Sequence, residues 1–228
     1  MKDRPGRPRP GVSRKSHVPL ATAAGRSAAS QRWLSRQLND PYVAAAKASG
    51  FRSRSAYKLL ELNDRFHLVR PGTKVVDVGA APGGWTQAAL LAGAGSVVAI
   101  DLLPMEPIAG VHILVADAAD PDLAGRLRPL LGGAADLVLS DMAPASTGHA
   151  TTDHLRIMAL AELALALAAA LLGPGGSFVV KLLQGGAEAS LLGDLKRRFA
   201  SVRHAKPPAS RPESRELYVV AKGFRRSG

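Results

Sequence analysis

Lys74-Val-Val-Asp-Val-Gly-Ala-Ala-Pro-Gly-Gly-Trp85 is the stretch on which the fold turns. Its first half is a short apolar run closed by Asp77-Val78-Gly79, the pattern of a buried strand entering a tight turn. The glycines let a ligand approach the backbone. A helix predicted over about 84–92 would then aim its free N–H groups at that ligand. A glycine-rich turn of this kind is equally compatible with nucleotide binding and with a plain structural bend. The spacing is not Gly-x-Gly-x-x-Gly, which argues against a nicotinamide-dinucleotide oxidoreductase. Pro82 and the adjacent Gly83-Gly84 pair suit a compact adenosyl ligand better than a gripped pyrophosphate.

Outward from this turn, apolar runs alternate with helical stretches. Strands are predicted at Ser96–Ile100, Val111–Val115, Leu137–Ser140 and Ser177–Lys181, with a long helix over 153–172 and another near 187–199. Val202–Ala205 and Leu217–Ala221 read as late strands forming an antiparallel edge. Apolar strands without polar alternation, separated by helices, predict an α/β fold with a mostly parallel sheet covered on both faces. Ser53 to Phe66 has helical spacing and is followed by a Pro71-Gly72 turn. Residues 1–30 are rich in Pro, Gly, Ser, Ala and Arg and read as a disordered basic arm. The expected organisation is that arm, a single domain over 31–224 (helical 31–70, then a core 71–224), and a tail 225–228.

The 228 residues suit one substantial domain with extensions, and a 46% hydrophobic content is enough for a core. The chain has no cysteine, so disulfides and thiolate metal sites are excluded. The six histidines show no ligand-like pairing, and no metal is expected. The net charge of +12 sits at the ends. Residues 1–36 hold nine Lys/Arg against one acid, and 194–228 hold ten against three, leaving 37–193 at −3. Basic ends on a near-neutral middle predict a polyanionic partner, most simply nucleic acid. Ile157–Leu172 is very apolar, but Glu162 interrupts it and a Gly-Pro-Gly-Gly turn follows, so a buried helix is expected and no membrane contact.

Asp101 lies 24 residues beyond Asp77, at the end of the next strand, where a carboxylate suits a ribose diol. Asp117 ends the third strand, where it could accept from an adenine amino group. Asp77, Asp101 and Asp117 thus close three successive strands at the sheet edge where open α/β folds bind ligands, although each alone could be a turn acid. Four further charges are awkward as surface residues. Lys58 is in an amphipathic helix, Asp141 and Lys181 end apolar strands, and Glu216 precedes a late strand. A lysine after Phe178-Val-Val needs a partner if buried, and strand-end carboxylates could supply it.

In type and order, Lys58, Asp141, Lys181 and Glu216 match the Lys-Asp-Lys-Glu tetrad of RNA ribose 2′-O-methyltransferases. The segments Arg52-Ser-Arg-Ser-Ala-Tyr-Lys-Leu59, Val76–Trp85, Asp101-Leu-Leu-Pro-Met105, Ser140-Asp-Met-Ala-Pro144, Gly175–Lys181 and Ser214-Arg-Glu-Leu-Tyr218 resemble the bacterial FtsJ/RlmE family, as do Arg32-Trp-Leu34 and Asp40-Pro-Tyr42. The resemblance spans about 30–224. It implies a Rossmann-like class I methyltransferase fold with a seven-stranded sheet. It implies S-adenosylmethionine as methyl donor, bound at Gly83, Trp85, Asp101, Asp117 and Asp141, with Lys58, Asp141, Lys181 and Glu216 catalytic. The implied substrate is the ribose 2′-hydroxyl of a uridine in the A loop of 23S ribosomal RNA, within the large ribosomal subunit. A cytoplasmic, monomeric enzyme with no DNA partner is expected.

Lys181 is the candidate for contacting the hydroxyl, either as a neutral base or as a charged group that orients it and stabilises oxyanion charge. Arg52, Arg54, Lys196, Arg197, Arg198, Arg211 and Arg215 are candidate phosphate contacts. A transfer RNA ribose methyltransferase of the same fold and a noncatalytic RNA-binding assembly factor are the alternatives.

Overall fold

The computed structural model describes residues 19, 25, 27–144, 147–184 and 189–225. The basic arm therefore lies outside the described residues over nearly all its length, and helix α1 (Ala28–Asn39) already begins inside its expected limit. Two more helices follow, α2 (Pro41–Ala48), with Asp40 as N-cap and Pro41 in its first turn, and α3 (Ser55–Phe66). Helix α3 buries Ala56, Tyr57, Leu59, Leu60 and Leu62, and ends at His67, a left-handed residue at φ 52°.

The core is one seven-stranded sheet in the order β3-β2-β1-β4-β5-β7-β6. Strands β1 (Lys74–Val78), β2 (Ser96–Asp101), β3 (Val111–Val115), β4 (Ala135–Ser140) and β5 (Leu172–Leu183) are parallel. Strand β7 (Glu216–Phe224) lies antiparallel between β5 and β6 (Phe199–Ala205). The two late strands thus form the expected antiparallel edge. The antiparallel strand is internal, with Leu217–Ala221 buried throughout, and β6 forms the edge. An internal strand buried on both faces reads as a continuous apolar run, and Leu217-Tyr-Val-Val-Ala221 is such a run.

Strand alternation divides the core into two halves. Val76, Val98, Val138, Phe178 and Val219 face one side, and Val75, Val97, Leu137, Leu139 and Val220 the other. Helices α4 (Gly84–Leu91) and α3 cover the second half. Helices α5 (Leu123–Leu131), α6 (Ala150–Leu171) and α7 (Ala189–Arg198) cover the first. By length and apolarity alone, Thr151–Leu171 could cross a bilayer. In the fold it packs on the sheet and buries Met158, Ala161, Ala164, Leu165, Ala168 and Leu171. Each large apolar side chain so buried contributes about 1.5–3 kcal/mol.

Candidate active site

Because β1, β2, β3 and β4 are parallel and in register, their C-terminal ends share one edge. Asp77, Asp101, Asp117 and Asp141 all fall there. A cleft of about 710 Å³ opens at this edge, lined among others by Gly79, Asp101, Leu103, Asp117, Asp141 and Met142. Leu102 and Leu103, at 67% and 66% exposed, form an apolar wall beside the Asp101 carboxylate. Asp101 accepts the N–H of Ala81 on one oxygen and of Leu103 on the other, both at 2.9 Å, so the acid braces the two loops that frame the cleft. Asp117 accepts the Ala119 N–H at 2.9 Å and remains exposed. At Gly79 (φ +74°) a Cβ would collide with the Met142 side chain, so glycine is needed for both the turn and the close approach.

Gly83 and Trp85 stand apart from this lining. Gly83 is the left-handed N-cap of α4 at φ 109°, where an added Cβ would come within 2.9 Å of Ile108 Cδ1. Trp85 is 2% exposed, donates its indole N–H to Ser55 O at 2.9 Å and packs against Tyr218. What these residues can offer a ligand is therefore backbone at the start of α4, not an indole face.

The four tetrad residues come together as two ion pairs. Lys58 Nζ lies 2.8 Å from Glu216 Oε1. Lys181 Nζ lies 3.0 Å from Asp141 Oδ1 and donates to Asp141 O at 2.5 Å. All four side chains are mostly buried, at 10–16% exposure. Tyr218, which the sequence reading passed over as a strand aromatic, joins the pairs. It donates its hydroxyl to Asp141 Oδ1 at 2.7 Å, and its ring lies 5.7 Å from Lys58 Nζ. Burial first, then the Asp141 and Glu216 carboxylates, push its phenol well above the usual value, which keeps it a donor.

Beneath the glycine turn, Asp77 is fully buried. Thr86 Oγ1 donates to Oδ2 at 2.6 Å, and Oδ1 has no partner among the described residues. Desolvation, opposed by the Thr86 hydrogen bonds and reinforced by Asp141 and Asp101, raises this carboxyl to about 7.

A second cleft, of about 450 Å³, lies on the other side of the tetrad and is lined by Arg36, Ser53, Ser55, Lys58, Ser214 and Glu216 among others. The first cleft contains Asp141 and the second Lys58 and Glu216, so the tetrad forms the seam between them.

Several arginines expected to meet phosphate have partners within the chain. Arg54 pairs with Asp40 and donates to Ala209 O, and Arg211 reaches Asp40 at 3.2 Å. Arg215 donates to Gln184 O. Arg52 donates to the carbonyls of Pro82, Glu106 and Pro107. Lys196 and Arg197 remain exposed on α7, the latter paired with Asp194. Among the described residues, no cluster of three or more His or acidic side chains could hold a metal ion.

The sheet order, its single internal antiparallel strand and a strand-end cleft beside an acid-and-lysine cluster define a Rossmann-like methyltransferase. Residues 51–224 match the FtsJ-like methyltransferase family, and the chain belongs to it. It is 63% identical over 211 residues to Ribosomal RNA large subunit methyltransferase E of Granulibacter bethesdensis, covering 92% of each chain. With the enzyme of the same name from Acidiphilium cryptum it is 60% identical over 215 residues, covering 94% of this chain and 96% of the relative. A Plasmodium falciparum protein described as a ribosomal RNA methyltransferase superposes with a TM-score of 0.68 at 29% identity, over 76% of this chain and 98% of that one.

Proposed function

We propose that this protein transfers a methyl group from S-adenosylmethionine to the ribose 2′-hydroxyl of a uridine in the A loop of 23S ribosomal RNA, acting as a cytoplasmic monomer on the large subunit. The observation that carries the reading is the seam: two lysine–carboxylate pairs, bridged by Tyr218, set between an acid-lined apolar cleft and a polar basic one.

The first cleft fits the donor. Leu102, Leu103 and Met142 offer apolar surface for a purine. Asp101 and Asp117 suit hydroxyl and amine donors, and three carboxylates suit a ligand carrying a sulfonium and an ammonium. Gly83 and Trp85 would contribute through backbone at the start of α4. When bound, the donor supplies an already electrophilic methyl group, so the chain's task is alignment and handling of one proton.

The second cleft takes the acceptor nucleotide. Lys181 acts as the charged orienting group. An ammonium has three donors, two of which point at Asp141, leaving one for the 2′-oxygen. Asp141 Oδ2 accepts the hydroxyl proton, while Lys58 and Glu216 hold the ribose side of the seam.

The test is to incubate the protein and methyl-labelled S-adenosylmethionine with large subunits from cells lacking A-loop methylation, with transfer RNA as the parallel substrate. A single 2′-O-methyl mark on an A-loop uridine is expected. Labelling of transfer RNA alone, or of neither, would overturn the reading.

A further inference from the structure

Three segments distant in sequence meet at one guanidinium. Arg52 precedes α3, and its Nη1 donates to Pro82 O at 3.3 Å and Glu106 O at 2.6 Å, while Nη2 donates to Pro107 O at 2.8 Å. Pro82 is in the glycine-rich turn, and Glu106 and Pro107 are in the loop after β2. The Arg52 backbone is tied as well. Its N–H donates to Gln87 Oε1 at 2.8 Å, and Gln87 Nε2 returns to Gly50 O at 3.0 Å, so α4 grips the same segment. At Gly83 an added Cβ would lie 3.3 Å from Arg52 Nη1, so the turn is shaped to receive this side chain. Asp101 joins the same two loops from the cleft side through Ala81 and Leu103. The loops are thus held at two points, by a carboxylate accepting from their N–H groups and by a guanidinium donating to their carbonyls.

We propose that Arg52 is a positioning residue of the donor site, not a phosphate contact. It holds the two loops at the spacing the donor requires and links that spacing to α3, which carries Lys58. A guanidinium can do this because its donors diverge in a rigid plane and reach three carbonyls at once. A lysine ammonium cannot span them in the same geometry. The proposal rests on the donor reading above.

Arg52→Lys separates the two roles, because it keeps the charge and loses the fork. With S-adenosylhomocysteine as calorimetric probe and no RNA present, the clamp predicts a roughly tenfold weaker Kd. The KM for S-adenosylmethionine should rise in step, while kcat at saturating donor stays within about twofold. RNA affinity and its salt dependence should stay at wild-type values. Donor affinity within twofold of wild type would overturn the proposal, as would an RNA salt slope that falls by about one in Arg52→Ala. Hydrogen exchange on the wild-type protein gives a reading that no variant's folding can obscure. S-adenosylhomocysteine should protect 50–54 together with 79–84 and 102–108, and protection that leaves out 50–54 would count against the clamp. Failure of the wild-type protein to bind S-adenosylhomocysteine at all would instead remove the donor reading, and the clamp with it.

Discussion

The cleft lined by Asp101, Asp117 and Asp141 takes its carboxylates from the ends of β2, β3 and β4, whereas the cleft above Lys58 draws on α1, α3 and the loop before β7. In the first, each acid sits where a parallel strand stops, and neighbouring strands bring the acids together by register alone. In the second, Lys58 meets Glu216 across 158 residues, and Arg54 meets Ala209 across 155. The basic residues differ accordingly. Arg52, Arg54 and Arg211, candidate phosphate contacts in the sequence, have partners within the chain, and Arg54 and Arg211 also line the second cleft, while Lys196 and Arg197 stay on the surface.

The seam between the clefts gives the largest expected effect. Lys181→Ala should lower methyl transfer by about 10²–10⁴-fold, with S-adenosylhomocysteine affinity unchanged by calorimetry. Turnover near the wild-type rate would break the assignment.

Next comes the buried carboxyl beneath the glycine-rich turn. Folded Asp77 keeps its proton up to about pH 7, while in the unfolded chain it ionises near 4. Its contribution to stability is therefore fully present below pH 4 and lost as the pH rises to 7. The loss is on the order of 4 kcal/mol for a shift from 3.8 to about 7. Asp77→Asn keeps an acceptor for Thr86 and should flatten the fall in unfolding free energy between about pH 4 and 7. An unchanged pH slope in denaturant titrations would refute this.

Beside the second cleft, Asp40 is the shared partner of Arg54 and Arg211 and caps α2. Asp40→Ala strands a mostly buried guanidinium and should cost about 3 kcal/mol by urea unfolding. A loss below 1 kcal/mol would mean the tie is ornamental.

Arg197→Ala is the counterpart with the smallest effect. Its pair with Asp194 is surface-exposed, at 73% for the arginine, so stability should move by less than about 0.5 kcal/mol. The slope of log RNA affinity against log salt should fall by about one if this arginine meets phosphate. Identical slopes would remove it from the interface.

Strands β1, β2, β4 and β5 were legible because buried parallel strands read as unbroken apolar runs. Helix α5 was not, although Leu123, Leu127 and Leu131 stand at helical spacing and all are buried. Gly125 and Pro129 inside a nine-residue helix mask that signal, since both lower helix propensity, and packing of the three leucines overrides them. Tyr218 escaped notice for a different reason. An aromatic in a strand is the ordinary core residue, and only the neighbouring strand β5, which pairs Lys181 opposite it, brings its hydroxyl to Asp141.

By itself the order of residues determined the alternation of strands and helices and the acids at the sheet edge, because these depend on local periodicity and on residue type; the four tetrad residues stood out only through their resemblance to a family pattern. Tertiary structure alone decided that the antiparallel strand lies inside the sheet, that Tyr218 joins the two ion pairs and that Arg52 and Arg54 meet partners distant in the chain. Each of these depends on which distant groups a side chain reaches once the chain has folded.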